Sequence, residues 1–136
     1  MVMNPWPRYE AQRFPIQEEA YVEVYFRNDR LGRAPCASLY VHGVELVRYD
    51  CFPDDEAHMH IDCAYVNGKR IYYPPGKIAD HIERTIWELR KNTKFATLCS
   101  ADERIRELTL DPESLEAVSQ KVEEELLDIV SRHNLT

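Results

Sequence analysis

From Ala20 onward the chain alternates. Val22, Val24 and Phe26 fall on one face of an extended segment, and Tyr21, Glu23 and Tyr25 fall on the other. Asn28-Asp29-Arg30-Leu31-Gly32 has the composition of a turn, and a second strand runs over 36–41. His42-Gly43 marks a tight reversal into a third strand over 44–52, which Pro53-Asp54-Asp55-Glu56 interrupts. A fourth strand is predicted over 57–66 and a fifth over 69–73, with Asn67-Gly68 as the hairpin turn between them. Strands joined by turns this short are antiparallel, so residues 20–73 predict a meander of about five strands. Residues 1–19, rich in proline and polar groups, read as an irregular arm anchored by Trp6, Tyr9 and Phe14.

After Pro74-Pro75-Gly76 the period changes from two to about 3.6. Ile78, Ile82, Ile86 and Leu89, flanked by Trp87, form the apolar stripe of a helix over 77–92 that packs on the sheet. Ser100-Ala101-Asp102-Glu103 has the form of a capping box opening a short helix that ends near Leu108. Asp111-Pro112 supplies an N-cap and a first-turn proline for a last helix running to about Arg132. Its stripe of Leu115, Val118, Val122, Leu126, Ile129 and Val130, widened by Leu127, calls for a partner surface in its own domain or on a second copy. The fold class is α+β: an antiparallel sheet with one face under a helix, then a helical extension over 101–133.

A chain of 136 residues is one domain by length and large enough for a hydrophobic core. Its net charge of −7 is unevenly placed. Residues 101–136 hold ten acidic and four basic side chains, against fourteen and thirteen in residues 1–100. The acidic extension therefore opposes non-specific duplex binding by that segment. No apolar run approaches a membrane span, and Met1 to Pro7 lack the basic start and apolar core of a signal peptide, which points to the cytoplasm. Cys36, Cys51, Cys63 and Cys99 form no CxxC pair and read as reduced, buried thiols. The four glycines are not clustered, and no Gly-x-Ser-x-Gly or Cys–His arrangement stands out, which argues against nucleotide-dependent and acyl-transfer chemistry.

The concentrated chemistry is Arg48-Tyr49-Asp50 followed by His58-Met59-His60-Ile61-Asp62. Alternation points His58, His60 and Asp62 one way and Met59, Ile61 and Cys63 the other. Three readings stand. The polar row binds a divalent metal through His58, His60 and Asp62, completed by His42, Asp50 or Asp54. Or the histidines exchange protons in metal-free RNA cleavage, with Arg48 holding a phosphate. Or the row is the solvated side of a two-faced strand. An HxHxD start also occurs in metallo-β-lactamase-type hydrolases, but Cys63 replaces their next histidine and the chain is too short for that fold. A second cluster over 67–94 combines Lys69, Arg70, Lys77, Arg84, Arg90, Lys91 and Lys94 with Tyr72 and Tyr73, as a patch for single-stranded nucleic acid or as an ordinary solvated helix face.

Over about residues 20–92, the succession of strands, Arg48-Tyr49-Asp50, an acidic loop, His58-x-His60 and a helix resembles the TumE-type family of small proteins, proposed toxin components of bacterial toxin–antitoxin pairs. The resemblance implies a bacterial cytoplasmic protein working beside an antitoxin-like partner, and marks Arg48, Asp50, His58 and His60 as its site, with no cofactor assigned. The helices over 101–133 depart from the family's pattern. They motivate an alternative: a non-catalytic interaction module that homodimerises through the last helix.

Overall fold

A computed structural model of the protein describes residues 6–62 and 70–135. Among the described residues, six strands form one sheet in the order of the chain: β1 (Tyr9–Gln17), β2 (Ala20–Asp29), β3 (Gly32–Val41), β4 (Val44–Asp50), β5 (His58–Ile61) and β6 (Ile71–Tyr72). Every neighbouring pair is antiparallel. The α+β class and the meander therefore hold, with one strand more than expected. The addition is β1, in the stretch read as an irregular arm. Its Pro15 is tolerated because β1 is an edge strand. The Asn67-Gly68 hairpin and the adjoining ends of the fourth and fifth predicted strands lie outside the described residues.

The turn at His42-Gly43 closes the β3–β4 hairpin with φ of 49° and 76° at its two central residues, the backbone a two-residue primed turn requires. Pro35 sits inside β3 without breaking the ladder. Its carbonyl accepts from Cys51, just past the end of β4 at Asp50, so its missing N–H points where no strand bond is needed.

Helices α1 (Ile78–Lys91), α2 (Thr93–Leu98), α3 (Glu103–Glu107) and α4 (Pro112–Arg132) follow. Asp102 and Asp111 cap α3 and α4 by accepting from Arg104 N–H and Ser114 N–H, while Ser100 Oγ accepts from Asp102 N–H one step earlier. The helix α2 was not expected: α1 ends at Asn92 as read, and the chain re-enters a helix at once. The stripe of α4 is buried within the chain. Val118, Val122, Leu126 and Ile129 join the core formed by Val22, Val24, Leu39, Val47, Ile82 and Ile86, with α4 lying across β1 to β3 and against α1. Leu127 remains exposed. The surface that motivated a homodimer is thus used internally. The C-terminal turn also secures the edge strand: Arg132 and His133 hold the Glu10 carboxylate, and His133 stacks on Phe26 at 3.8 Å.

His81 is a clamp in this core. Its Nδ1 lies 2.6 Å from Phe52 O and its Nε2 3.1 Å from Pro74 O, joining α1 to the chain ends of β4 and β6. No helix of the described residues is long and apolar enough to cross a membrane.

The packing of α4 separates two adjacent leucines. Leu126→Ala is expected to destabilise the fold by about 3 kcal/mol in urea unfolding, and Leu127→Ala to stay within roughly 0.5 kcal/mol of the parent. Equal losses would mean that the helix faces the sheet differently.

Candidate functional site

Strand alternation sorts the sheet into two faces. Row by row across the strands, Tyr25, Cys36, Asp50, His58 and Tyr72 are cross-strand neighbours, and beside them run Glu23, Ser38, Arg48 and His60. All point away from the helices. The four residues singled out in the sequence therefore meet, because β4 and β5 pair Asp50 with His58 and Arg48 with His60.

This face is not the open, wetted surface of a two-faced strand. Asp50 is 0% exposed and His58 1%. Tyr25, Ala34, Cys36 and Phe52 form a second, smaller buried cluster on this side, with Leu31 against it. Arg8 reaches over it from the N-terminal side, its guanidinium 4.2 Å above the Tyr25 ring and bonded to Glu23, Tyr40 and Glu45. His60 and Arg48 stand at the rim, with about a fifth of each side chain accessible.

Asp50 is the hub. Its Oδ2 lies 3.1 Å from His58 Nε2, 3.2 Å from Arg48 Nε and 3.9 Å from His60 Nε2. Its Oδ1 is 3.3 Å from Arg27 Nη1 without the alignment of a hydrogen bond, and Arg27 in turn donates to Asp29 at 2.8 Å. Burial alone pushes this carboxyl upward. The hydrogen bond from His58 and the charges of Arg48 and Arg27 outweigh it and hold Asp50 well below the usual carboxylate range.

His58 has both nitrogens engaged. Nδ1 lies 2.7 Å from Glu56 O, and Nε2 faces the Asp50 carboxylate. Both neighbours are acceptors, so a proton on either ring nitrogen meets a partner.

Asp50, His58 and His60 also place their ligand atoms within 4.8 Å of one another, and the His58 contact to a backbone carbonyl is the orienting bond that metal-binding imidazoles make. The spacing fits a divalent ion; the charge does not. Arg27 and Arg48 already stand beside the Asp50 carboxylate, within 3.3 Å and 3.2 Å of its oxygens. A doubly charged cation beside them meets repulsion of about 4 kcal/mol per pair of unit charges 4 Å apart at an effective dielectric near 20.

Three candidates fall outside the cluster. Asp62 follows the end of β5, is exposed, and is absent from the ligand group that Asp50 completes. His42 occupies the hairpin tip at the other end of β4 from Asp50, roughly 20 Å away along the strand. Asp54, the other proposed completing ligand, is exposed in the loop after β4, where it bridges Gly76. The basic and aromatic run over 67–94 is divided. Arg90 is held by Glu116 of the acidic α4, Arg84 pairs with Glu88, and Tyr73 is buried with its hydroxyl 2.8 Å from Thr85. Lys69 lies outside the described residues.

Sequence reasoning missed Arg27 and Arg8. The signal for Arg27 was available: it continues the Tyr21, Glu23, Tyr25 side of β2, the same side that the β4 pairings later bring to Asp50. The cysteines are free among the described residues. Cys36 and Cys51 are buried, and burial pushes Cys51 up to about 12 and Cys36 well upward, the latter reinforced by the Asp50 charge. Neither is a nucleophile in this state. Cys63 lies outside the described residues.

The chain matches no known family model, no curated protein and no solved structure.

Because the Asp50 carboxyl is depressed in the folded state, its stabilising effect is full above its ordinary value and disappears as pH falls through the folded one. Asp50→Asn, which leaves Arg27 and Arg48 without their shared anion, is expected to lower stability by about 3–5 kcal/mol at neutral pH. It is also expected to flatten the decline in stability below pH 4. Denaturant titrations at pH 7 and pH 3 measure both. A variant as stable as the parent at pH 7 would show that Asp50 is not the hub.

Proposed function

We propose that the protein cleaves RNA by metal-free acid–base chemistry at the rim of the polar sheet face, as the toxin-like member of a bacterial toxin–antitoxin pair. The carrying observation is the convergence of Arg48, Asp50, His58 and His60 around one buried carboxylate. The toxin–antitoxin setting, with its antitoxin-like protein partner and cytoplasmic location, rests on the resemblance to the TumE-type family alone.

The geometry divides the two histidines. His58 is enclosed and holds Asp50, so it is a positioning residue. His60 stands at the rim with Arg48 beside it, paired across β4 and β5. In this reading His60 takes the proton of a ribose 2′-hydroxyl, the 2′-oxygen attacks the adjacent phosphorus, and the P–O5′ bond breaks. The departing 5′-oxygen takes a proton from water, leaving a 2′,3′-cyclic phosphate. Arg48 faces the phosphate oxygens as charge develops on them. Asp50, fixed by His58 and Arg27, orients both rim groups.

The expected result is cleavage of a single-stranded RNA oligonucleotide in EDTA, giving 2′,3′-cyclic phosphate ends. An otherwise identical strand with a 2′-deoxyribose at the cut site should remain intact. General acid–base groups contribute on the order of 10²–10⁴ in rate, so His60→Ala should lose at least about a hundredfold while keeping its circular dichroism spectrum. In cells, growth arrest on overproduction should disappear with the same substitution. An undiminished rate in His60→Ala, or cleavage abolished by EDTA and restored by a metal, would sink the mechanism.

A further inference from the structure

We infer that Tyr72 is a stacking platform that selects single-stranded RNA for this site, an inference that rests on the function proposed above. Tyr72 is the cross-strand partner of His58, which places it on the polar face. Its ring centroid is 5.8 Å from that of His58, which is 4.9 Å from that of His60. Two ring-to-ring steps thus separate Tyr72 from the rim imidazole, a span that one nucleotide bridges between its base and its phosphate.

The residue is 56% exposed, although its neighbour Tyr73 is buried and hydrogen-bonded to Thr85. The core therefore uses one tyrosine of the pair and leaves the other bare. Tyr72 lies on β6, the last strand of the sheet, so the strand order sets nothing beside its outer edge among the described residues.

Charge complementarity identifies the occupant. The Arg70 guanidinium is 3.4 Å from the Tyr72 hydroxyl, and Arg48 stands at the rim on the same face. One guanidinium beside the exposed ring and a second at the rim of the same face suit a polyanion whose bases are free to stack. A duplex hides its bases within the helix and cannot use the ring. The acidic α4 lies on the other face of the sheet, where it does not oppose an approaching phosphate.

The test uses the full-length protein and a fluorescent, non-cleavable 2′-O-methyl RNA hexamer in an anisotropy titration. Base stacking on an aromatic side chain corresponds to a loss of about tenfold in affinity when the ring is removed. Tyr72→Ala should show that loss, and Tyr72→Trp should bind as the parent does. Removing the base at each hexamer position in turn should reveal one position where the parent loses as much and Tyr72→Ala loses nothing more.

Affinity of Tyr72→Ala within twofold of the parent overturns the platform. So does equal competition by a duplex of the same sequence, or failure of the parent to bind the hexamer. The catalytic reading fails separately. A parent protein that binds RNA through Tyr72 but leaves it uncut retains the platform and loses the chemistry. A protein that cuts subsaturating RNA equally fast with and without the ring retains the chemistry and loses the platform.

Discussion

A carboxylate withdrawn completely from water is tolerable only with opposite charge and hydrogen bonds at close range. Asp50 imposes that requirement on one whole face of this sheet. Arg48 from its own strand, His58 from the next and Arg27 from two strands away all close on it. The two arginines bring partners of their own: Arg27 takes Asp29, Arg48 lies 3.9 Å from Glu45, and Glu45 takes Arg8. The result is a chain of alternating charges across four strands. Antiparallel sheets usually leave one face in water. Here the middle of the second face, around Tyr25, Cys36, Asp50 and His58, is filled by ionic and aromatic side chains and is buried as well.

That arrangement makes stability and chemistry share residues. The helix face is an ordinary apolar core, and each of its side chains can be exchanged at a local price. On the polar face, removing Asp50 takes a shared anion from Arg27 and Arg48 at once. A buried ion pair is weak evidence for net stabilisation, since a well-packed apolar replacement is often as stable. The network is therefore better understood as holding its rim groups in one geometry, which is what a preorganised site needs. His60 and Arg48 are the members placed both to touch the network and to meet solvent.

Much of this was legible. Strict alternation from Ala20 onward, the His42-Gly43 reversal and the Asp111-Pro112 start located β2 to β4 and α4 closely, because each is a local signal with a local cause. The strand β1 was not legible. Phe14 and Ile16 point toward the core, but Pro15 stands between them and the first half is exposed, so the stretch reads as an arm. What makes it a strand is distant in sequence: pairing with β2 and the grip of Arg132 and His133 on Glu10. Likewise, alternation exposed the kinship of Arg48, Asp50, His58 and His60. It could not show that the loop over 51–57 sets the register so that Asp50, rather than Asp62, meets the histidines. Nor could it show that His58 is sealed while His60 is reachable, because that depends on Phe52 and on side chains from other strands.

The edges of the sheet bear on where a ligand can arrive. Exposed strand edges invite pairing with other chains, and proteins blunt them with proline, bulges, charge or brevity. The β1 edge carries Pro15, Arg13 and two register shifts, and α4 ties it down. The opposite edge, β6, is only two residues long. Too short to recruit a strand, it still presents Tyr72 and the neighbouring Arg70. A geometry that resists β-pairing while leaving an aromatic ring and cations at the mouth of a charged site is better matched to stacking than to strand addition.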